Sequence, residues 1–349
     1  MNNNSIENIN LYNSEIKNLN RKNDRYYLIT FKKHDKKNNT RNKIIILVCL
    51  IIDIYYLYKS ILKDDIKVCL CVISKNENLY VREFVENYKK LGYNNIYIYD
   101  NNDKNGERFE EVINDYIQNG FVKIINFRGQ IENPRQIEAY RDCYSKNYKI
   151  YNWISFYDMD EFLEINEKYK TIKDFLSDKI FEQCQNIKIN WLMAINDNIL
   201  YFENKTLQQR IKTFRYDDTS NKHIKSTVKG NLSINYWEIA FNPHSSTLNI
   251  TSCSSSGKII SSDSPYNQPP DYTNAKLKHY YYKSFEEFCI KVKRGYADKI
   301  KSVNDQNSLN LYNNIYLEST NNVEKLKIIH KIFNDSIFLN SKINNSTNS

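Results

Sequence analysis

From Lys67 onward, short apolar runs alternate with stretches whose apolar residues recur at helical spacing. KVCLCVIS (67–74) reads as a buried strand, and Val81, Phe84, Val85 and Tyr88 follow at i, i+3, i+4 and i+7, a helix that closes at Gly92. NIYIYD (95–100) predicts a second strand. Phe109, Val112, Ile113, Tyr116 and Ile117 repeat the helical period before Gly120, and FVKIINF (121–127) predicts a third strand. A helix opened by Pro134 turns Ile137, Tyr140 and Tyr144 inward, and WISFYD (153–158) is the fourth strand.

Four strand–helix alternations in about ninety residues predict an α/β fold with a doubly wound, mostly parallel sheet. Ligands of such sheets bind outside the carboxyl ends of the strands. Beyond residue 187 the pattern changes to mixed strands and loops, with a Ser-rich stretch at 251–264 and an amphipathic helix over 284–300. A last helix is expected near 323–333, inside an Asn-rich tail.

The predicted strand ends carry Lys75-Asn76-Glu77, Asp100-Asn101-Asn102, Arg128 and Asp158-Met159-Asp160, so polarity collects on one rim. Burying carboxylates after an aromatic run costs several kcal/mol unless something pairs with them. A Lys or Arg partner, a bound cation, or open solvent would each serve. Side chains at i and i+2 of a strand face one way, so Asp158 and Asp160 can present oxygen ligands to one Mg²⁺ or Mn²⁺. Left unpaired, two such carboxylates repel, and neutralising either should leave the melting temperature unchanged or raised. None of the seven glycines forms the G-x-G, G-x-x-x-x-G-K or G-x-x-G-x-R pattern after a strand, which excludes the dinucleotide fingerprint and the P-loop.

Charge and composition narrow the picture further. The net charge is +9, but residues 1–43 alone supply +6, leaving a nearly balanced body that argues against a nucleic-acid partner. This Asn- and Lys-rich arm reads as disordered, apart from a short strand at Tyr26 to Phe31. IIILVCLIIDIYYLY (44–58), extended to Leu62, reaches the length of a membrane anchor with a cytosolic N-terminus. A strand or helix of a cytoplasmic soluble domain is the alternative. The seven cysteines are odd in number and show no C-x-x-C pair, and they read as reduced core residues.

Several stretches, in order, resemble one family: KVCLCVISKNENLYVREFVENYKKLGYNNIYIYDNND, QIEAYRDC, WISFYDMDEFLEI, NWLMAIND, KHIKSTVK, NPH and KHYYYKSFEEFCIKVKRGYAD. The group is that of the family-2-like and family-92 glycosyltransferases of GT-A fold. The resemblance covers about residues 66–300 and neither terminus. It implies a GT-A domain over 63–300, with a nucleotide-binding half at 63–165 and a mixed acceptor- and metal-side half at 187–300. An arm (1–43) and candidate anchor (44–62) precede it, and a partly helical tail (301–349) follows.

The resemblance also implies roles. Glu77 and Asp100 would contact the nucleoside, Gln136 would face the donor, and Lys283 and Arg294 would be donor-side basic residues. Asp158 and Asp160 would hold Mn²⁺ or Mg²⁺ and the diphosphate, with His279 as the distant third ligand. The partners implied are a nucleotide-diphosphate sugar and a glycan or glycoconjugate acceptor. The chain departs from the pattern after NWLM, where Ala194 to Asn198 replace a small-residue loop near the acceptor. An inverting reaction needs a carboxylate base, for which Asp197 is the first candidate and Asp217, Asp218 and Glu238 follow. A non-catalytic sugar-nucleotide or glycan-binding module, or an anchored surface protein with a structural acidic rim, are the competing functions.

Overall fold

A computed structural model describes residues 46–57, 66–129, 135–196, 198–232, 241–246, 250–294, 319 and 321–333. The chain divides into two units, Met1–Ile61 and Leu62–Ser349. In the first, residues 46–57 are helical. Among the described residues no helix is long and apolar enough to cross a membrane. The rest of the expected anchor, the arm and its short strand lie outside the described residues, as do Pro134, Asp197 and Glu238.

The second unit begins with the predicted alternation: β1 (Val68–Ser74), α1 (Asn78–Lys90), β2 (Asn95–Asp100), α2 (Glu110–Gln118), β3 (Val122–Asn126), α3 (Arg135–Asn147) and β4 (Trp153–Phe156). The two-residue period of β1 explains the double winding. Val68, Leu70 and Val72 pack with Val81, Phe84, Val85 and Tyr88 of α1 on one face of the sheet. Cys69, Cys71 and Ile73 pack with Tyr140, Cys143 and Tyr144 of α3 on the other. Each large side chain buried this way stabilises the fold by about 1.5–3 kcal/mol. Gly92, at φ +89°, takes the left-handed conformation that ends α1 and returns the chain to the sheet.

The remaining elements are β5 (Glu161–Ile165), α4 (Ile172–Leu176), β6 (Asn186–Ala194), α5 (Leu207–Arg210), β7 (Phe214–Arg215), β8 (Ile224–Lys229), β9 (Phe241–Asn242), β10 (Ser245–Ser246), β11 (Ser252–Cys253), β12 (Ile259–Ile260), β13 (Ala275–His279), α6 (Phe285–Arg294) and α7 (Val323–Phe333). The long sheet runs β12-β11-β6-β8-β4-β1-β2-β3. Strands β4, β1, β2 and β3 are mutually parallel, and β8 runs antiparallel between β4 and β6, so the sheet becomes mixed where the sequence pattern changed. β13 pairs antiparallel with β5 and parallel with β6, which carries His279 back to the end of β4. Because the chain leaves β1 toward β2 and returns on its other side as β4, the strand order reverses between β1 and β4. That switch opens a crevice at their carboxyl ends.

The expectation of reduced cysteines is corrected. Cys71 of β1 is bonded to Cys143 of α3, and Cys184 to Cys253, with Cα atoms 6.4 and 5.8 Å apart; Cys49, Cys69 and Cys289 are free thiols. The pairs are 72 and 69 residues apart, so only the fold brings them together: α3 lies on β1, and β11 pairs with the start of β6. Opening a loop of that size releases about 4 kcal/mol of unfolded-state entropy. Cys184→Ser should therefore lower the urea midpoint of the oxidised protein and leave that of the fully reduced protein unchanged. Equal midpoints in the oxidised state would show that the bond does not form.

Candidate active site

The aspartates do not stand on a strand. β4 ends at Phe156, and Asp158 and Asp160 occupy the turn before β5, closed by Glu161 N–H donating to the Asp158 carbonyl at 3.0 Å. Turn geometry, in place of the pleat, sets their directions. Asp158 keeps 31% of its side chain exposed, whereas that of Asp160 is only 7% exposed.

Lysines meet the buried carboxylates. Lys225 of β8, fully buried, donates to Asp158 Oδ2 at 2.6 Å and lies 3.7 Å from Glu161 Oε1. Asp158 Oδ1 accepts from Gln136 Nε2 at 3.0 Å and from the Tyr140 hydroxyl at 3.2 Å. Lys291 of α6 donates to Asp160 Oδ2 at 2.6 Å. Burial pushes both aspartates up, but Lys225 outweighs it at Asp158, and Lys291 with His279 at Asp160, so both stay below the ordinary carboxylate range. Glu161 shows the reverse, because burial dominates and raises it well above that range.

His279 is 4% exposed, and its Nε2 lies 3.5 Å from Asp160 Oδ1. Burial lowers its pKa, which keeps the imidazole neutral. Its Nδ1 is buried without a partner among the described residues. Two carboxylates and a neutral imidazole whose Nε2 faces Asp160 are a donor set that suits Mn²⁺. By type the residues fit a divalent cation. Among the described residues no three His, Cys, Asp or Glu groups close around one point, and the two ammonium groups hold the carboxylate oxygens instead.

The donor-side residues also converge. Glu77, after β1, accepts from Lys283 Nζ at 2.9 Å and from Arg294 NH1 at 2.6 Å, and Arg294 also donates to the Lys75 carbonyl. Lys283 sits over the Tyr80 ring at 3.5 Å, and burial lowers its pKa. Asp100 is fixed by Arg128 NH1 at 2.6 Å and by the backbone and side-chain amides of Asn102 at 3.0 and 2.7 Å. Gln136 faces Asp158, at the site.

Of the base candidates, Asp217 is exposed, and Asp218 caps the turn Thr219–Lys222 by accepting from Ser220 N–H at 2.8 Å. Lys225, Lys291 and His244 enter the site without having been singled out. His244 Nδ1 donates to the Ile224 carbonyl at 2.7 Å, and burial and Lys225 push its pKa down to about 3. Lys225 lies in a strand, IKSTVK, of which all but Lys229 is buried, but with only Ile224 and Val228 apolar the stretch carries no local sign of that burial.

The model of glycosyltransferase family 92 matches residues 64–307. No curated protein matches the chain. Among solved structures, S. aureus TarS 1–349 in complex with UDP is 12% identical over 77% of this chain and 71% of that one, with a TM-score of 0.36. The same protein in complex with UDP-GlcNAc aligns at 13% identity over 39% and 37%, at 0.30. The mannosyltransferase PcManGT of Pyrobaculum calidifontis, in complex with GDP-Man and Mn²⁺, aligns at 9% identity over 42% and 46%, at 0.26. The chain thus spans little more than a third of the TarS–UDP-GlcNAc structure, and likenesses this weak carry no argument about chemistry. The family match covers more than two thirds of the chain and contains every element of the rim, and this protein belongs to glycosyltransferase family 92.

Proposed function

We propose that the protein transfers a sugar from a nucleotide-diphosphate sugar to a hydroxyl of a saccharide or glycoconjugate, with inversion and with dependence on Mn²⁺ or Mg²⁺. The observation that carries this reading is the convergence of Asp158, Asp160, His279, Glu77, Lys283 and Arg294 at the carboxyl ends of β1 and β4. A divalent cation held by Asp158, Asp160 and His279 would offset the charge of the departing diphosphate.

The chain's own part is positional and electrostatic. Glu77 holds Lys283 and Arg294 at the end of β1, and two cations against one carboxylate leave a net positive charge there that would favour a diphosphate. Asp158, aimed by Gln136 and Tyr140, is the more open of the two carboxylates and the first an incoming donor would meet. Asp197, in the sequence stretch that departs from the family pattern, remains the base we propose for the acceptor hydroxyl.

The two disulfides support a location of the body in an oxidising compartment, where such bonds persist. That location agrees with a cytosolic arm and an anchor at 44–62.

The deciding experiment incubates the full chain with UDP- and GDP-sugars, with and without Mn²⁺, and measures nucleotide release and melting temperature. Metal-dependent release is expected. A melting shift without release would identify a sugar-nucleotide binding module, and neither response would leave a structural role.

A further inference from the structure

A second concavity lies at the opposite end of the sheet from Asp158. Trp153, the first residue of β4, pairs with Val68 at the start of β1 and with Lys229 at the end of β8, and a cavity of about 670 Å³ opens beside it. Its apolar lining includes the buried residues Trp153, Leu176 and Phe181. The loop before β4, the turn after α4 and the end of β8 wall it in and supply Lys149, Lys179 and Lys229.

These lysines differ from those of the rim. Lys225, Lys283 and Lys291 each meet a carboxylate within 2.9 Å, whereas among the described residues none of Lys149, Lys179 and Lys229 pairs with one. Lys149 Nζ lies 5.5 Å from the Tyr148 ring centre, and Lys229 Nζ lies 5.6 Å from that of Trp153 and 3.5 Å from the Glu182 carbonyl oxygen. Two carboxylates also line the cavity. Asp178 already accepts from the Tyr169 hydroxyl at 2.6 Å and from Ile180 N–H at 3.2 Å, and it lies 4.0 Å from Lys168. That leaves Glu182 against three ammonium groups, so the lining is net positive. Asn152 Oδ1 accepts Lys67 N–H at 2.8 Å, which leaves the Asn152 amide N–H groups as further donors.

The backbone under these groups is fixed. Gly230 N–H donates to the Asn152 carbonyl and Asn231 N–H to that of Tyr148, both at 2.7 Å, so the loop bearing Lys149 is clamped to the strand end bearing Lys229. A Cβ on Gly230 would fall 1.9 Å from the Tyr151 carbonyl oxygen, so only glycine permits this approach. Asp178 caps the short turn that presents Lys179. A ligand that meets this frame does not have to order the main chain.

We propose that this cavity binds a hexose phosphate, at a site separate from the catalytic rim. The assignment stands on the cavity and its charges and does not depend on the glycosyl-transfer reading. Three point-like ammonium groups, with no guanidinium in the lining, suit the three oxygens of a phosphate monoester better than a planar carboxylate, which arginine matches in a fork. A bare phosphate would leave most of the volume empty. The cavity has the size of small-molecule sites, its apolar lining can meet the carbon face of a sugar, and Ser177 and Asn231 offer polar groups to its hydroxyls.

The test titrates the full chain with glucose 1-phosphate, glucose 6-phosphate, inorganic phosphate and glucose, each up to about 20 mM, followed by ligand-observed ³¹P and ¹H NMR. At least one hexose phosphate should bind saturably and more tightly than inorganic phosphate, and glucose should not bind. Lys149→Ala and Lys179→Ala should each weaken that binding about tenfold, the size of one charge-assisted contact. Both side chains are exposed, so neither variant puts the fold at risk. Saturating UDP with Mn²⁺ should leave the binding unchanged. Displacement by UDP together with wild-type affinity in both lysine variants would place the phosphate at the rim and overturn the assignment. Absence of saturable binding, or glucose binding as tightly as its phosphates, overturns it as well.

Discussion

Asp160→Asn is expected to lower turnover by about 10²–10³-fold and to destabilise the fold by about 3–5 kcal/mol. The first effect follows from the proposed function, in which Asp160 would supply an oxygen ligand and fixed charge at the leaving diphosphate. The second follows from Lys291, whose ammonium is 2.6 Å from Asp160 Oδ2 with both side chains at most 10% exposed. Neutralising the aspartate strands that charge in the interior. The sign is opposite to that expected of two unpaired, mutually repelling carboxylates, because the sequence alone does not reveal the lysine. The double variant Asp160→Asn/Lys291→Met should recover most of the stability and none of the turnover. Urea unfolding and initial rates of nucleotide release separate the two effects, and wild-type stability in the single variant would show that the ion pair does not form.

The parts of this protein that were legible in the sequence are those written in local periods. β1 to β4 and their helices follow from two-residue and 3.6-residue spacing, and the rim follows from which residues terminate the strands. His279 is reachable only through resemblance, since its place beside Asp160 depends on β13 pairing with β5 across more than a hundred residues. Lys225 and Lys291 answer the question posed by the carboxylates after β4, yet they come from β8 and α6, and nothing local marks them as partners of Asp158 and Asp160. The disulfides escaped for the same reason. Odd cysteine number and missing C-x-x-C spacing are local criteria, and the bonds are set by sheet and helix packing. The strand placement of Asp158 and Asp160 failed differently, because an apolar run does not show where the backbone turns.

The buried pair Glu287–Arg210 leads to the second large effect. Arg210 at the end of α5 donates NH1 and NH2 to the two carboxylate oxygens of Glu287, each at 2.7 Å, and the Tyr80 hydroxyl of α1 adds a bond of 2.6 Å. Glu287 also closes a capping box with Ser284: its Oε2 accepts Ser284 N–H at 2.9 Å, and Ser284 Oγ accepts Glu287 N–H at 3.2 Å. Three helices are tied at one carboxylate, and α6 is the helix that delivers Lys291 to Asp160 and Arg294 to Glu77. Burial pushes Glu287 up, but the bonds from Arg210, Ser284 and Tyr80 outweigh it and hold its pKa at about 2 against an ordinary 4.5. A depressed folded-state pKa contributes stability that is present above 4.5 and is lost as pH falls toward 2, here about 3 kcal/mol. Glu287→Gln should cost about 3–5 kcal/mol at neutral pH, since Arg210 is left buried and unpaired. It should also flatten the acid limb of the stability curve between pH 4.5 and 2. Urea midpoints measured across that range test both, and an unchanged acid limb in the variant would mean that other carboxylates govern acid unfolding.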